Sequence, residues 1–206
     1  MSSYPMRDQL TDHLLTPQNA AFVLIDYQPV QISTIESMDK TRLVSNITIL
    51  SKMLKAYGLP TIVSTVNVKT GLNKPILHQL REVFDGVDPF DRTTINAWED
   101  KEVREAIIAT GRKKLIICAL WTEACLTYPT LDAIKEGYEV YTVVDAIGGT
   151  SVVAHEMALR RIEQAGAKLC SIGQIGCELQ RDWNRPETAQ FMVEAFLAAG
   201  IFLQGD

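Results

Sequence analysis

Between Lys113-Lys114 and Trp121 runs an unbroken apolar stretch, Leu115-Ile-Ile-Cys-Ala-Leu120. It is too short to span a bilayer and has the length of a strand buried on both faces. Such a strand has no polar side to offer water, so helices must cover the sheet above and below it. Trp121, Thr122, Glu123 and Ala124 follow, and then Cys125, where the next helix should be starting. In a parallel sheet, ligands bind outside the carboxyl ends of the strands. Free N–H groups and the positive dipole end in a helix's first turn favour a thiolate. A cysteine in a core is usually a small hydrophobe, and Cys118 inside the run reads that way. Cys125 lies beyond the run, which makes it the candidate nucleophile.

The same alternation extends along the chain. Apolar or β-branched runs predict strands over 20–25, 60–66, 138–144 and 167–172, with a short strand or strand exit at 88–92. Helical spacing predicts helices over 41–57, 74–84, 100–110, 123–136, 151–165 and 186–199. Ser151 is the expected cap of the fifth, and Gly58, Gly111, Gly137 and Gly166 close four of them. Short links between alternating elements predict a three-layer α/β/α Rossmann-like fold with a mainly parallel sheet of about six strands. One domain over residues 1–206 is expected, with a polar arm at 1–18 and a helical tail at 174–206. The apolar surface of the last helix suits either the chain's own core or a subunit contact.

Composition narrows the partners. A net charge of −5 argues against a nucleic-acid or anionic-membrane surface, which needs clustered Lys and Arg. The first residues contain no apolar run of signal-peptide length, so a cytoplasmic location is expected. Four cysteines without a Cys-x-x-Cys pair read as reduced thiols. His13, His78 and His155 are scattered, so neither a metal nor another cofactor is expected.

Two further residues sit at strand ends. Asp26 directly follows Phe22-Val-Leu-Ile25, where a carboxylate is costly without a partner. It is either a cap or a general acid/base with a pKa raised by apolar surroundings. Arg92, in Asp91-Arg-Thr-Thr-Ile-Asn-Ala-Trp98, either pairs with a surface carboxylate or stabilises negative charge beside a thiol.

In order and spacing, Leu24-Ile-Asp-Tyr-Gln28, Arg92 to Trp98, Ala119 to Cys125 and Val143-Val-Asp-Ala146 resemble the isochorismatase-like cysteine hydrolases, in particular their YcaC-like branch. The resemblance covers about residues 20–172. It implies a catalytic Asp at Asp26, a nucleophile at Cys125, and a lysine at the position where this chain has Arg92. Arginine stays charged, so it can hold an anion but cannot shuttle a proton. The resemblance also implies a cis peptide before Trp121, with the N–H groups of Trp121 and Cys125 forming an oxyanion hole, and a homo-oligomer (dimer, tetramer or octamer). Gln28, Asn96, Trp98 and Tyr128 are the expected substrate-binding residues; Trp98, Trp121 and Tyr128 would either suit a small, flat or apolar substrate or simply pack in the core. Relatives that hydrolyse nicotinamide bind a metal through histidines after the second strand. Residues 64–70 here contain none, which makes nicotinamide a less expected substrate. The expected reaction is hydrolysis of a small amide or related C–N bond through a Cys125 thioester. Two rivals are an isochorismatase-type vinyl-ether hydrolase, which needs no cysteine, and a non-catalytic oligomeric protein with a reactive thiol.

Overall fold

A computed structural model describes residues 5–201. Six strands form one sheet: β1 (Ala20–Ile25), β2 (Thr61–Val66), β3 (Phe90–Arg92), β4 (Lys114–Ala119), β5 (Glu139–Val143) and β6 (Lys168–Cys170). Their spatial order is β3-β2-β1-β4-β5-β6, and every adjacent pair is parallel. The helices are α1 (Pro29–Ser33), α2 (Lys40–Ala56), α3 (His78–Val83), α4 (Lys101–Ala109), α5 (Thr127–Lys135), α6 (Val152–Gln164), α7 (Ile172–Gln180) and α8 (Pro186–Ala198). Helices α2, α3, α7 and α8 pack together on one face, and α4, α5 and α6 cover the other. The expected α/β/α architecture is present, and the sheet is wholly parallel.

Strands β1 and β4 form the centre. All six residues of each are buried, and their register pairs Ile25 with Ala119. Full burial of a Leu or Ile side chain contributes about 1.5–3 kcal/mol, so this pair anchors the core. From β1 the chain winds outward to β2 and β3, and from β4 it winds the other way to β5 and β6. The reversal opens a crevice between the carboxyl ends of β1 and β4. Asp26 and the turn bearing Cys125 leave those two ends.

Several boundaries differ from the sequence reading, each for a local reason. Pro29 ends the strand but also begins α1, because a proline's fixed φ suits a first helical position. The helix expected over 74–84 shrinks to α3, since Leu77 N–H is bonded to Tyr27 O and holds the preceding segment out of the helix. The last strand stops at Cys170, and α7 starts within the segment read as strand. Ser171 and Gln174 form a reciprocal capping box there. Ser151 caps α6 as expected, and Gly58, Gly111, Gly137 and Gly166 all have positive φ. Among the described residues, no helix is long and apolar enough to cross a membrane.

Candidate active site

Cys125 does not sit in an α-helical first turn. Residues Thr122–Leu126 form a wider π-helical turn before α5, with Leu126 N–H bonded to Trp121 O and Thr127 N–H to Thr122 O. Pro129 explains the widening. In a continuous α-helix its ring would press on the carbonyl of Cys125 and leave that carbonyl without a donor. Thr127 Oγ1 adds a hydrogen bond to Thr122 O at 2.7 Å.

This turn is fastened to the loop between β5 and α6. Thr122 N–H donates to Gly148 O at 2.9 Å, and Thr122 Oγ1 lies 2.8 Å from His155 Nδ1. Glu123 Oε1 accepts from the N–H and hydroxyl of Thr150 at 3.0 and 2.5 Å. Gly149 keeps this contact close, since a Cβ there would lie 2.7 Å from Glu123 Oε2 and 3.0 Å from His155 Cβ and would displace the Glu123 side chain. The Leu120–Trp121 peptide is cis, as the resemblance implied. The half-buried Trp121 indole donates to Thr34 Oγ1 at 2.7 Å.

Asp26 leaves β1 with φ +62°, a left-handed conformation that Asp tolerates better than most residues. Its side chain is fully buried and accepts a hydrogen bond from Arg92 Nη2 at 2.8 Å. Arg92 is the last residue of β3, in register with Val66, and its side chain is also fully buried. Nη2 reaches Ile95 O at 3.4 Å as well. The pair crosses β2 from the edge strand to the central one and places a buried cation at the crevice.

Electrostatics correct one expectation. The helix start was expected to favour a thiolate at Cys125. Burial instead pushes its pKa up to about 12, and the neighbouring Asp26 carboxylate adds to the rise. Arg92 and the Trp121 N–H act in the opposite sense without overcoming it. Burial also raises Asp26, while the charge and hydrogen bond of Arg92 pull it back. The resting site is therefore a thiol beside a carboxyl–guanidinium pair.

The structure brings Asp26, Arg92, Trp121 and Cys125 together, but not the four expected substrate-binding residues. Gln28 is fully buried and its amide is committed to backbone. Nε2 donates to Val66 O and Lys74 O at 3.1 and 2.7 Å, and Oε1 accepts from Val66 N–H. It ties the end of β2 to the β1 exit. Asn96 caps the short 3-10 turn Ala97–Glu99 and donates to Asp132 Oδ2 at 2.7 Å. Trp98 is buried against Tyr138, with its Nε1 bonded to Glu136 at 2.9 Å, so it belongs to the packing of α4 and α5. Tyr128 lies on the outer side of α5 under the Arg161 guanidinium. Ile95, Asn96, Tyr128 and Arg161 line an open cleft of about 450 Å³ that does not include Cys125. Asp145 is also removed from the chemistry, because its carboxylate accepts Ile172 N–H at the start of α7.

Sequence reasoning missed Thr122, His155 and Tyr27, whose hydroxyl donates to Ala146 O at 2.6 Å. The signal available for the unusual turn was Pro129, four residues after Cys125. Among the described residues, no group of three or more His, Cys, Asp or Glu side chains is placed to hold a metal ion. At the end of β2, the Val68 and Lys69 N–H groups are bonded to Asp91 instead.

Comparison with known proteins agrees with this geometry. Residues 20–174 match the isochorismatase domain. The chain is 36% identical over 171 residues to the probable hydrolase YcaC of Escherichia coli, covering 82% of each chain. The crystal structure of YcaC from E. coli, described as an octameric hydrolase of unknown specificity, superposes with a TM-score of 0.85 at 33% identity over 91% of both chains. YcaC from Pseudomonas aeruginosa, solved with hexane-2,5-diol and covalent acrylamide, matches with a TM-score of 0.85 at 31% identity, over 93% of this chain and 96% of that one. The nicotinamidase PncA of Bacillus subtilis, 15% identical with a TM-score of 0.62 over 74% of this chain and 99% of that one, shares the fold. With a family domain spanning most of its length and a wholly parallel sheet carrying the matched motifs at its switch point, the chain belongs to the isochorismatase family of hydrolases, in its YcaC-like branch.

Proposed function

We propose that this hydrolase cleaves a small amide or related C–N bond, with Cys125 as nucleophile. The observation that carries the reading is the buried Asp26–Arg92 pair, 2.8 Å apart, beside a buried thiol at the switch point of the sheet. A thiol with a raised pKa needs a base at the moment of attack, and Asp26 is the carboxyl that acts on it. As the substrate carbonyl approaches, the thiol proton passes to Asp26, sulfur adds to carbon, and the oxyanion meets the N–H groups of Trp121 and Cys125. Asp26 returns the proton to the leaving nitrogen, giving a thioester and a free amine or ammonia. Water attacks the thioester, with Asp26 as base, to release the acid and restore the thiol. Arg92 stays protonated throughout and opposes the build-up of negative charge.

The covalent acrylamide in the P. aeruginosa relative supports an electrophile-reactive site in this branch. A homo-oligomer is part of the same reading. The E. coli relative is octameric, and this chain exposes Val153 and Met157 on α6 as well as Ile95 and Tyr128. Light scattering on the purified chain tests assembly, and a monomer would reject it.

The function is tested by a panel of small amides with ammonia release as the readout, on wild type and Cys125→Ala. The expected result is turnover in wild type only, with an acyl adduct on Cys125 seen by mass spectrometry under rapid quench. Equal hydrolysis by the variant would remove Cys125 from the mechanism and favour a cysteine-independent route.

A further inference from the structure

At the entry of β4, opposite the strand end that leads to Cys125, stand three consecutive cations, Arg112, Lys113 and Lys114. All three line a cavity of about 440 Å³ that also includes Asp12, His13 and Glu139. None of Asp26, Arg92, Trp121 or Cys125 borders it. Its volume lies in the range of small-molecule sites.

The sign of the cavity follows from its ion pairs. Asp12 is already held by Arg7 and Arg181, each at 3.2 Å. Glu139 is shared by Lys114 at 3.3 Å and Lys168 at 2.5 Å. Lys114 is nearly buried, and its ammonium also donates to His13 O at 2.6 Å. Among the described residues, no carboxylate pairs with Arg112 or Lys113. The Lys113 ammonium lies over the Tyr138 ring, 5.4 Å from its centre. Arg112 Nε is shielded from solvent and has no hydrogen-bond partner. Buried polar atoms are nearly always paired, so an orphaned guanidinium nitrogen beside a cavity calls for an acceptor from outside the chain. Two positive charges are thus left uncompensated at one place in a chain of net charge −5.

We infer that this cavity binds a phosphate group, carried by inorganic phosphate or by a small phosphate monoester. A phosphoryl group carries about −1.5 to −2 charge at pH 7 and several strong acceptor oxygens. That charge matches the two unpaired cations, whereas a monocarboxylate would neutralise only one of them. Arg112 offers a planar set of donors suited to phosphate oxygens, and Lys113 adds a point charge.

Isothermal titration calorimetry on the full chain tests this at pH 7.5, with ionic strength held constant by NaCl. Inorganic phosphate, glycerol phosphate and acetate are titrated into wild type, Arg112→Gln and Lys113→Gln. Wild type should bind at least one of the phosphate compounds at a single saturable site, with acetate about tenfold weaker or more. Each variant should weaken phosphate binding about tenfold or more, through loss of one charge-assisted contact. The Arg112 side chain makes no hydrogen bond or ion pair among the described residues, and Lys113 is exposed. Both variants should therefore keep the wild-type melting temperature in phosphate-free buffer, and Lys113→Gln decides alone if Arg112→Gln does not fold. Tighter binding of glycerol phosphate identifies a monoester as the ligand class, and tighter binding of inorganic phosphate identifies the free ion. Absence of saturable binding, acetate equal to phosphate, or an affinity unchanged in either variant would overturn the inference. So would protection of Cys125 from iodoacetamide by phosphate that persists in Arg112→Gln, since the anion would then occupy the crevice.

Discussion

Arg92 Nη2 lies 2.8 Å from Asp26 Oδ2, joining the edge strand β3 to the exit of the central strand β1, with both side chains fully buried. Asp26 also acts on the neighbouring Cys125, its charge and hydrogen bonding raising the thiol pKa. The pair thus stores charge in an apolar crevice in a form that is neutral overall. The consequences can be measured separately for stability, thiol chemistry and backbone geometry.

The two members of the pair should be energetically coupled. Arg92→Met strands a buried carboxyl and is expected to destabilise by about 3–5 kcal/mol. Asp26→Asn combined with Arg92→Met should lose clearly less than the sum of the two single changes, because no unpaired charge remains. Denaturant unfolding of the four species measures the coupling, and strict additivity would show that the pair is not an energetic unit.

Cys125 should titrate late. Its pKa is pushed up to about 12 by burial first and by Asp26 second. A raised thiol pKa means the proton is retained at neutral pH, so reactivity is lost at low pH and gained as pH rises. Alkylation by iodoacetamide should climb about tenfold per pH unit from pH 7 through pH 10, without the plateau near pH 8.5–9 of an ordinary thiol. A plateau below pH 8 would contradict this. Covalent labelling by acrylamide should follow the same profile and vanish in Cys125→Ala.

Asp12 links stability to acid pH. Burial alone would raise its pKa, but the Leu14 N–H and the Arg181 and Arg7 guanidiniums outweigh burial and hold it below its ordinary 3.8. Because the folded value is the lower one, this stabilisation is present above about pH 3.8 and is lost as pH falls through the folded pKa. Asp12→Asn should cost about 1–3 kcal/mol at pH 7, with the gap to wild type closing in the acid range. The midpoint of urea unfolding against pH gives the comparison; a gap that widens toward acid would refute the sign.

Pro129 should matter to chemistry more than to folding. Pro129→Ala lets the turn at Thr122–Leu126 tighten toward an α-helix, which shifts Cys125 relative to Asp26. The alkylation rate of Cys125 should change several-fold while the melting temperature moves by only a few degrees. Unchanged reactivity would mean that Thr122 and its partners Gly148 and His155 hold the turn without help from the proline.

Hydrophobic periodicity was enough to place the central strands, because a strand with no polar face has only one kind of environment available to it. The same short-range logic put Asp26, Arg92 and Cys125 at or just past strand ends and marked Arg92 as the position where the resemblance implies a lysine. It also located the four helix-ending glycines, since positive φ is a local demand. What it could not reveal depended on neighbours far along the chain. Gln28 looked free until Val66 and Lys74 took its amide, and Trp98 looked like a pocket residue until Glu136 engaged it. The thiol followed the same rule. Its place at a helix start argued for a low pKa, but desolvation depends on everything packed around the sulfur, and here that outweighs the helix end. Local patterning fixed the sheet and which reactive groups reach its rim; which of their atoms are already paired came only from the folded arrangement, because pairing is a property of distance in space.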